Sequence, residues 1–179
     1  MIETIRIGHL LREATALPYR HLVTRPTGVA VRNRIEAALS RSDCLTALLD
    51  FSDVELLDFS CADEIVAKLL LGPASQRRRF VVLRGLSDDQ YDAIEQVLTH
   101  HGLAAVAMVP DGDLRLLGRV SPDARAAFAW ICHTGSVGSA EVARALHWSE
   151  PRTREALEAL AGRLLVRSEG DRYHPLLVA

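Results

Sequence analysis

Cysteine, aromatic residues and lysine are scarce in this chain. Among its 179 residues are three cysteines and a single lysine, Lys68, and aromatic residues make up 5%. Cys44, Cys61 and Cys132 show no C-x-x-C spacing, which argues against a disulfide framework and against a zinc site. A sparse, odd set of cysteines is typical of reduced thiols, so we expect a cytoplasmic location.

Long apolar runs are also missing, and we expect no secretory leader. No run approaches the roughly 18 apolar residues that a membrane-spanning helix requires. The opening MIETIRIGHL lacks the basic segment and longer apolar core of a signal peptide. The formal net charge of -2 gives no overall attraction for nucleic acid or for an anionic membrane. We therefore expect no membrane partner, and any nucleic-acid binding must depend on a local basic patch.

The common sequence signatures of catalysis are absent. The chain has no glycine-rich phosphate loop, no G-x-S-x-G, no H-E-x-x-H and no Cys/His cluster with metal-ligand spacing. Cys132 and His133 are adjacent, but neighbouring side chains on a helix point about 100° apart. We predict that the protein is not an enzyme and that it uses neither a metal nor another cofactor.

The first 119 residues alternate apolar strand patterns with helical ones. This order predicts an α/β fold, a mixed sheet with packed helices. Strands are expected from Ile2 to Ile7, up to Asp50, over Phe80 to Leu83, and as a hairpin formed by Leu103 to Val109 and Leu114 to Leu117. Thr27 is a candidate cap for one helix. Ser87 to Gln90 reads as a capping box for another, which Gly102 ends.

The stretch from Leu48 to Leu71 combines a strand, an acidic turn and a helix. After Asp50 and Asp58, apolar residues recur at three- and four-residue spacing, which puts Ser60 at a loop-to-helix junction. Ser60-Cys-Ala-Asp63 approximates a capping box, so the Ser60 hydroxyl could serve only to cap the helix. Alternatively it could accept a phosphate, which helix amides and the helix dipole stabilise. These two interpretations are compatible.

The order Asp50-Phe-Ser-Asp-Val-Glu-Leu-Leu-Asp58-Phe-Ser60-Cys resembles the signature of STAS domains, the fold of anti-sigma-factor antagonists. The resemblance implies that Ser60 is a phospho-acceptor and that Asp58 belongs to the kinase-facing surface. We include Asp50 and Asp63 as further candidates for a partner surface, although Asp50 and Asp58 could also be loop acids with no partner. The resemblance also implies a regulatory protein partner of the histidine-kinase-like ATPase type. Phe59 stands where a second serine is usual, and Cys61 where a glycine is usual.

A short basic run, Arg77, Arg78 and Arg79, follows the helix. Three consecutive arginines could contact phosphate, but a short run of charge is more often a solvated surface. The run alone therefore does not define a binding site.

The pattern changes at Ser121-Pro122. Ser121, Ser139 and Ser149 are candidate caps for three consecutive helices. The chain then reads as two short strands joined by a Ser-Glu-Gly-Asp turn. Residues 121–179 resemble bacterial winged helix-turn-helix regulators. We therefore expect two domains, a STAS-like domain over 1–119 and a small α+β winged-helix domain over 120–179.

If the second domain binds DNA, its third helix would enter the major groove and its hairpin would lie along the backbone. The candidate contacts are Arg152, Thr153, Arg154, Arg167 and Arg172. However, residues 121–179 hold seven arginines and seven acidic residues, so the domain is neutral overall. Because DNA affinity depends on a basic face, the alternative is a winged helix used for protein contact or homodimerisation.

Taken together, these patterns predict a cytoplasmic regulator in which a STAS-like protein-interaction module controls a DNA-binding winged helix. The alternative is a non-enzymatic adaptor that uses both modules for protein contacts. The two differ in whether the chain has salt-dependent DNA affinity.

Overall fold

The computed structural model describes residues 1–72 and 78–177 and has a mixed α/β fold. The first half contains, in chain order, β1 (Ile2–Arg6), α1 (Ile7–Thr15), β2 (His21–Leu22), α2 (Arg25–Ser40), β3 (Thr46–Asp50), β4 (Leu56–Leu57), α3, β5 (Phe80–Arg84), α4 (Asp88–His101), β6 (Ala104–Met108) and β7 (Leu114–Gly118). Helix α3 is α-helical over Phe59–Ala62 and Lys68–Leu71, with a π-helical segment over Asp63–Ala67 between them.

The main sheet has five strands in the order β1-β3-β5-β6-β7. The first four are parallel, and β7 runs antiparallel to β6 as the hairpin pattern predicts. The two-residue strands β2 and β4 pair with each other outside this sheet. The predicted mixed sheet with packed helices is therefore confirmed.

Helices α1 to α4 form one hydrophobic core with a single face of the main sheet. Ile5, Leu49, Leu83 and Ala107 are register partners on successive strands, and all four belong to this core. In the parallel part of the sheet, neighbouring strands follow one another in chain order. Crossover connections between parallel strands are right-handed. When successive crossovers move in the same direction across the sheet, their helices therefore lie on the same face.

The C-terminal segment packs on the other face of the sheet. It contains α5 (Pro122–Thr134), β8 (Val137–Gly138), α6 (Ser139–Leu146), α7 (Glu150–Gly162), β9 (Arg167–Glu169) and β10 (Arg172–His174). Leu48, Val82, Val106 and Leu116 form a row of register partners that joins Phe128 and other C-terminal residues in a second core. The predicted boundary between residues 119 and 120 falls between β7 and α5, but the two halves share this core.

Two arginines reinforce the junction between the halves. Arg125 donates to the carbonyl oxygens of Leu116 (3.2 Å) and Gly118 (2.9 Å), both in β7. Arg163 donates to the carbonyl oxygens of Arg119 (2.7 Å) and Gly102 (3.1 Å). Both guanidinium groups therefore connect C-terminal helices to backbone at the end of the sheet half.

The helix caps agree only partly with the sequence patterns. Ser87 forms the complete capping box, and Ser121 and Ser149 also accept amide hydrogen bonds as expected. The predicted caps Thr27 and Ser139 are wrong, since α2 begins at Arg25 and α6 has Gly138 at its N-cap. Gly138 also pairs with Arg172 of β10, which fixes where β8 gives way to the helix.

No helix in the two described ranges combines the length and apolar character needed to span a bilayer.

The shared core predicts that the first half is unstable alone. A fragment of residues 1–119 would expose Leu48, Val82, Val106 and Leu116, so we expect it to bind a hydrophobic dye and to elute as aggregates. The full chain should be the well-behaved control in size-exclusion chromatography and dye fluorescence. A monomeric fragment with no dye binding and the melting temperature of the full chain would contradict this prediction.

Candidate signalling site at the start of helix α3

Asp58, rather than Ser60, caps α3. Its Oδ1 accepts hydrogen bonds from the Cys61 amide (2.8 Å) and from the Ser60 hydroxyl (2.9 Å). Its Oδ2 accepts the amide of Thr24 (3.1 Å), the residue before α2. The prediction that Ser60 is the N-cap is therefore wrong: Ser60 lies inside the first turn and donates to the cap. One carboxylate thus joins the starts of two helices.

The electrostatics of the junction favour an ionised Asp58 and a neutral Cys61. Burial alone would raise the pKa of Asp58, but hydrogen bonds from the Cys61 and Thr24 amides outweigh it and hold the pKa below its usual range. Burial and the nearby Asp58 carboxylate raise the pKa of Cys61 to about 12. The thiol donates to the Thr24 carbonyl oxygen (3.0 Å). Cys61 is therefore a structural thiol rather than a nucleophile.

Gly28 allows α2 to approach α3 closely at this junction. A Cβ atom at residue 28 would lie 3.1 Å from both the Cys61 Cα and the Glu64 Cβ. A larger side chain would push the two helices apart. The absence of a side chain at Gly28 thus helps to bring Thr24 to Asp58.

Asp63 does not extend the predicted capping box, because it belongs to a buried ionic cluster. Its carboxylate contacts Arg25 Nη1 (2.8 Å) and His101 Nε2 (2.6 Å), and its exposed fraction is 7%. The neighbouring Glu64 is 1% exposed and contacts Arg25 Nη1 (2.7 Å) and Lys68 Nζ (2.5 Å). This burial leaves Asp63 little area to present to a partner. Because Arg25 lies on α2 and His101 on α4, the cluster holds the π-helical segment against both helices.

Asp50 lies in a separate group at the carboxyl end of β3. It accepts hydrogen bonds from the Ser52 hydroxyl (2.5 Å), the Ser52 amide (2.9 Å) and Arg84 Nη2 (2.6 Å). These bonds outweigh the effect of burial and lower the pKa of the Asp50 carboxyl. Of the four residues predicted for the partner surface, only Asp58 and Ser60 hydrogen-bond to each other.

Exposed apolar side chains lie on the two segments that pair as β2 and β4 and lead to the Asp58–Ser60 pair. Phe59, between them in the chain, is 45% exposed. Leu56 lies in β4 opposite His21 of β2, and the His21 ring contacts Tyr19 edge-on at 6.1 Å between centroids. Leu17, Tyr19, Leu56 and Phe59 are all exposed, and we call them the apolar patch. Sequence reasoning missed this patch, because only the pairing of β2 with β4 brings its two segments together.

The C-terminal residues predicted to contact DNA already have partners within the fold. Arg152 makes two 2.8 Å hydrogen bonds to Asp123, and its guanidinium lies 4.7 Å from the ring centre of Trp148. Arg154 contacts Glu150 (2.8 Å). Thr153 is fully buried and donates to the Ser149 carbonyl oxygen, which removes it from the set of candidate DNA contacts.

The two hairpin arginines are also engaged. Arg172 donates to the Ser136 hydroxyl and carbonyl oxygens (2.9 Å each) and contacts Glu141 (3.2 Å). Arg167 donates to the Pro175 carbonyl oxygen (3.3 Å). Both side chains would have to leave these partners, at least in part, to reach a phosphate.

The exposed face of α7 carries more acid than base. Glu150, Glu155 and Glu158 lie there beside Arg152 and Arg154. Three carboxylates against two guanidinium groups give this face a negative balance, which repels the phosphate backbone of DNA.

Comparison with protein-family models, curated proteins and solved structures finds no match for this chain.

The cap predicts a specific cost for losing Asp58. Asp58→Ala removes the acceptor of the Cys61 and Thr24 amides, so we expect the free energy of unfolding to fall by about 1–2 kcal/mol. Ser60→Ala removes a single donor and should cost less than about 1 kcal/mol. Urea denaturation followed by circular dichroism measures both. Equal costs for the two variants would show that Asp58 is not the dominant cap.

The buried carboxylates predict a loss of stability in acid. Burial opposes ionisation of Asp63 and Glu64, but bonds from Arg25, His101 and Lys68 outweigh it and lower both pKa values in the folded state. The unfolded state therefore binds protons more readily, so stability present above the unfolded pKa of about 4 is lost as pH falls through the lower folded values.

The matched comparison is the double variant Asp63→Asn, Glu64→Gln. Its free energy of unfolding should fall less steeply than that of the wild type between about pH 5 and pH 3, since only the other carboxyl groups still titrate. Identical slopes in a denaturation series would contradict the prediction.

Proposed function

We propose that the protein is a non-enzymatic signalling adaptor, STAS-like in its first half, that binds a regulatory protein through the start of α3. The observation that carries this proposal is the apolar patch beside Ser60. Exposed apolar residues that group together are typical of protein interaction sites. The half-buried Ser60 hydroxyl and the Asp58 carboxylate provide polar groups at its margin.

Phosphorylation of Ser60 by a partner of the histidine-kinase-like ATPase class would act through Asp58. A phosphate on the hydroxyl adds between about one and a half and two negative charges close to the carboxylate, and the two groups would repel each other. The helix amides favour a phosphate at this end, but Asp58 already occupies the Cys61 amide. A phosphate would therefore compete with the cap, loosen the contact to Thr24 and alter the adjacent patch.

The C-terminal half would then serve protein contacts. Its candidate arginines are paired internally, and the exposed face of α7 has a negative balance. The hydrogen bonds made by Arg125 and Arg163 connect the C-terminal half to the sheet on which α3 packs. A partner bound to either half would therefore contact a unit that is continuous with the other half.

A DNA-binding transcription regulator is the second candidate. The order helix, strand, two helices and hairpin, with a sheet order of β8-β10-β9, supports a winged-helix assignment. In that case α7 would enter the major groove. Arg152 and Arg154 would then exchange Asp123 and Glu150 for phosphate or base contacts.

Selection of native genomic DNA fragments by the full-length protein separates the two candidates. We expect no enriched sequence and no steep decline of binding with salt, because the available face is not basic. An enriched sequence whose binding is lost in Arg152→Ala and Arg154→Ala, and kept in Arg144→Ala, would establish the DNA regulator instead.

Site-specific crosslinking tests the partner surface. A photoreactive phenylalanine analogue in place of Phe59 should give one discrete crosslinked protein in the native cell. The same analogue in place of Leu71, which is exposed at the other end of α3, is the matched control and should not. Products that are the same from both positions would remove the proposed docking surface. Intact-mass analysis that finds no phosphate on Ser60 under any growth condition would remove the covalent switch alone.

A further inference from the structure

A cavity of about 240 Å³ lies between the sheet half and the C-terminal half. It opens where the ends of α3 and α7 meet the starts of β5 and β6. Its lining consists of Leu70, Arg79, Val81, Leu103, Ala104, Ala105, Gly162, Arg163, Leu164 and Leu165. Junctions of this kind between two packed units are frequent places for small-molecule binding.

Arg79 is a buried cation in this lining. Its exposed fraction is 8%, and its guanidinium donates to the Ser42 carbonyl oxygen (2.6 Å) and contacts the Cys44 sulfur (3.0 Å). Within residues 1–72 and 78–177, no carboxylate lies at ion-pair distance from it. By contrast, the buried Asp63 and Glu64 both have cationic partners. The hydrogen bonds to Ser42 and Cys44 offset part of the cost of burying the Arg79 charge, and an anionic ligand would supply the counter-charge.

Arg163 adds a second guanidinium group to the lining. It donates to the carbonyl oxygens of Arg119 and Gly102, and burial lowers its pKa. It too has no carboxylate at ion-pair distance in the described part of the chain. Each guanidinium has five N–H donors, so both keep donors beyond the bonds named here.

The rest of the lining is mainly apolar. Leu70, Val81, Leu103 and Leu165 provide hydrocarbon walls. Leu164 adopts a φ of 58°, a left-handed conformation that is unusual for a residue other than glycine. Residues 73–77, which lie outside the described ranges, read Pro-Ala-Ser-Gln-Arg and include no acidic side chain.

We infer that this cavity binds a small organic carboxylate with a compact apolar body. Arg79 and Arg163 both line the cavity, and a guanidinium fork suits a carboxylate in charge and geometry, while the leucine and valine walls suit a short hydrocarbon or aromatic group. The volume is below the roughly 300 Å³ of typical drug-sized pockets, which restricts the ligand to a small molecule. This site is separate from Ser60 and from the exposed face of α7, so it does not depend on the proposed function.

Titration of the full-length protein with sodium benzoate, followed by methyl NMR at constant ionic strength, tests the site. We expect saturable shifts for the methyl groups of Val81, Leu103 and Leu165. Arg79→Lys keeps the charge but loses the planar fork, and Arg163→Gln loses the rim charge. Each should weaken benzoate binding by about tenfold or more.

Gly162→Leu provides a variant that does not disturb either arginine. Gly162 lines the cavity, and a Cβ atom there would meet open space beyond its own helix and chain neighbours, so a larger side chain can be added without a clash. We expect it to abolish saturable binding while the melting temperature is kept. Arg144→Gln, an exposed arginine on α6 that does not line the cavity, should bind benzoate as the wild type does.

Other results would overturn the proposal. Shifts that stay linear in benzoate concentration, or that are the same in Gly162→Leu and in the wild type, would overturn the site. Saturable binding of inorganic phosphate with none of benzoate would overturn the assignment to an organic carboxylate.

Discussion

A parallel sheet has to be covered on both faces, because its strands carry apolar residues on each side. The crossover helices of this chain all pack on one face, since its parallel strands follow each other in a single direction. The row formed by Leu48, Val82, Val106 and Leu116 is left for another element to cover. Helices α5 to α7 and the C-terminal hairpin segment provide that cover. The second half is consequently part of the folding unit of the first, as well as a candidate output module.

This packing also connects sites that lie far apart in the chain. Asp58 connects α2 to α3 on one face of the sheet, while Arg125 and Arg163 attach the C-terminal helices to the end of the sheet. The cavity of about 240 Å³ lies where these helices meet the strand starts. A change at Ser60, a ligand in the cavity and a partner on α7 would therefore act on one continuous body.

The placement of arginines differs from what the sequence predicts for a nucleic-acid surface. Arg152, Arg154 and Arg172 look like a nucleic-acid surface in the sequence, but each contacts a carboxylate in the fold. Arg79 belongs to a basic run that reads as solvated surface, yet it is buried and has no acidic partner among the described residues. Arg78 of the same run is exposed, and Arg77 lies outside the described residues. Charge type is a property of the sequence, whereas the balance between paired and unpaired charge is a property of the packing.

The sequence by itself determined the features that depend on neighbouring residues. The strand ending at Asp50, the capping box of Ser87 and Gln90, the β6–β7 hairpin and the C-terminal helices all follow from local periodicity and capping chemistry. Only the tertiary structure decided that Asp58 rather than Ser60 caps α3, because the position of Thr24 across the interface helps to select the acceptor. It likewise decided that Asp63 and Thr153 are buried and that residues 120–177 cover the sheet. Those outcomes depend on contacts between segments far apart in the chain, which short-range patterns do not encode.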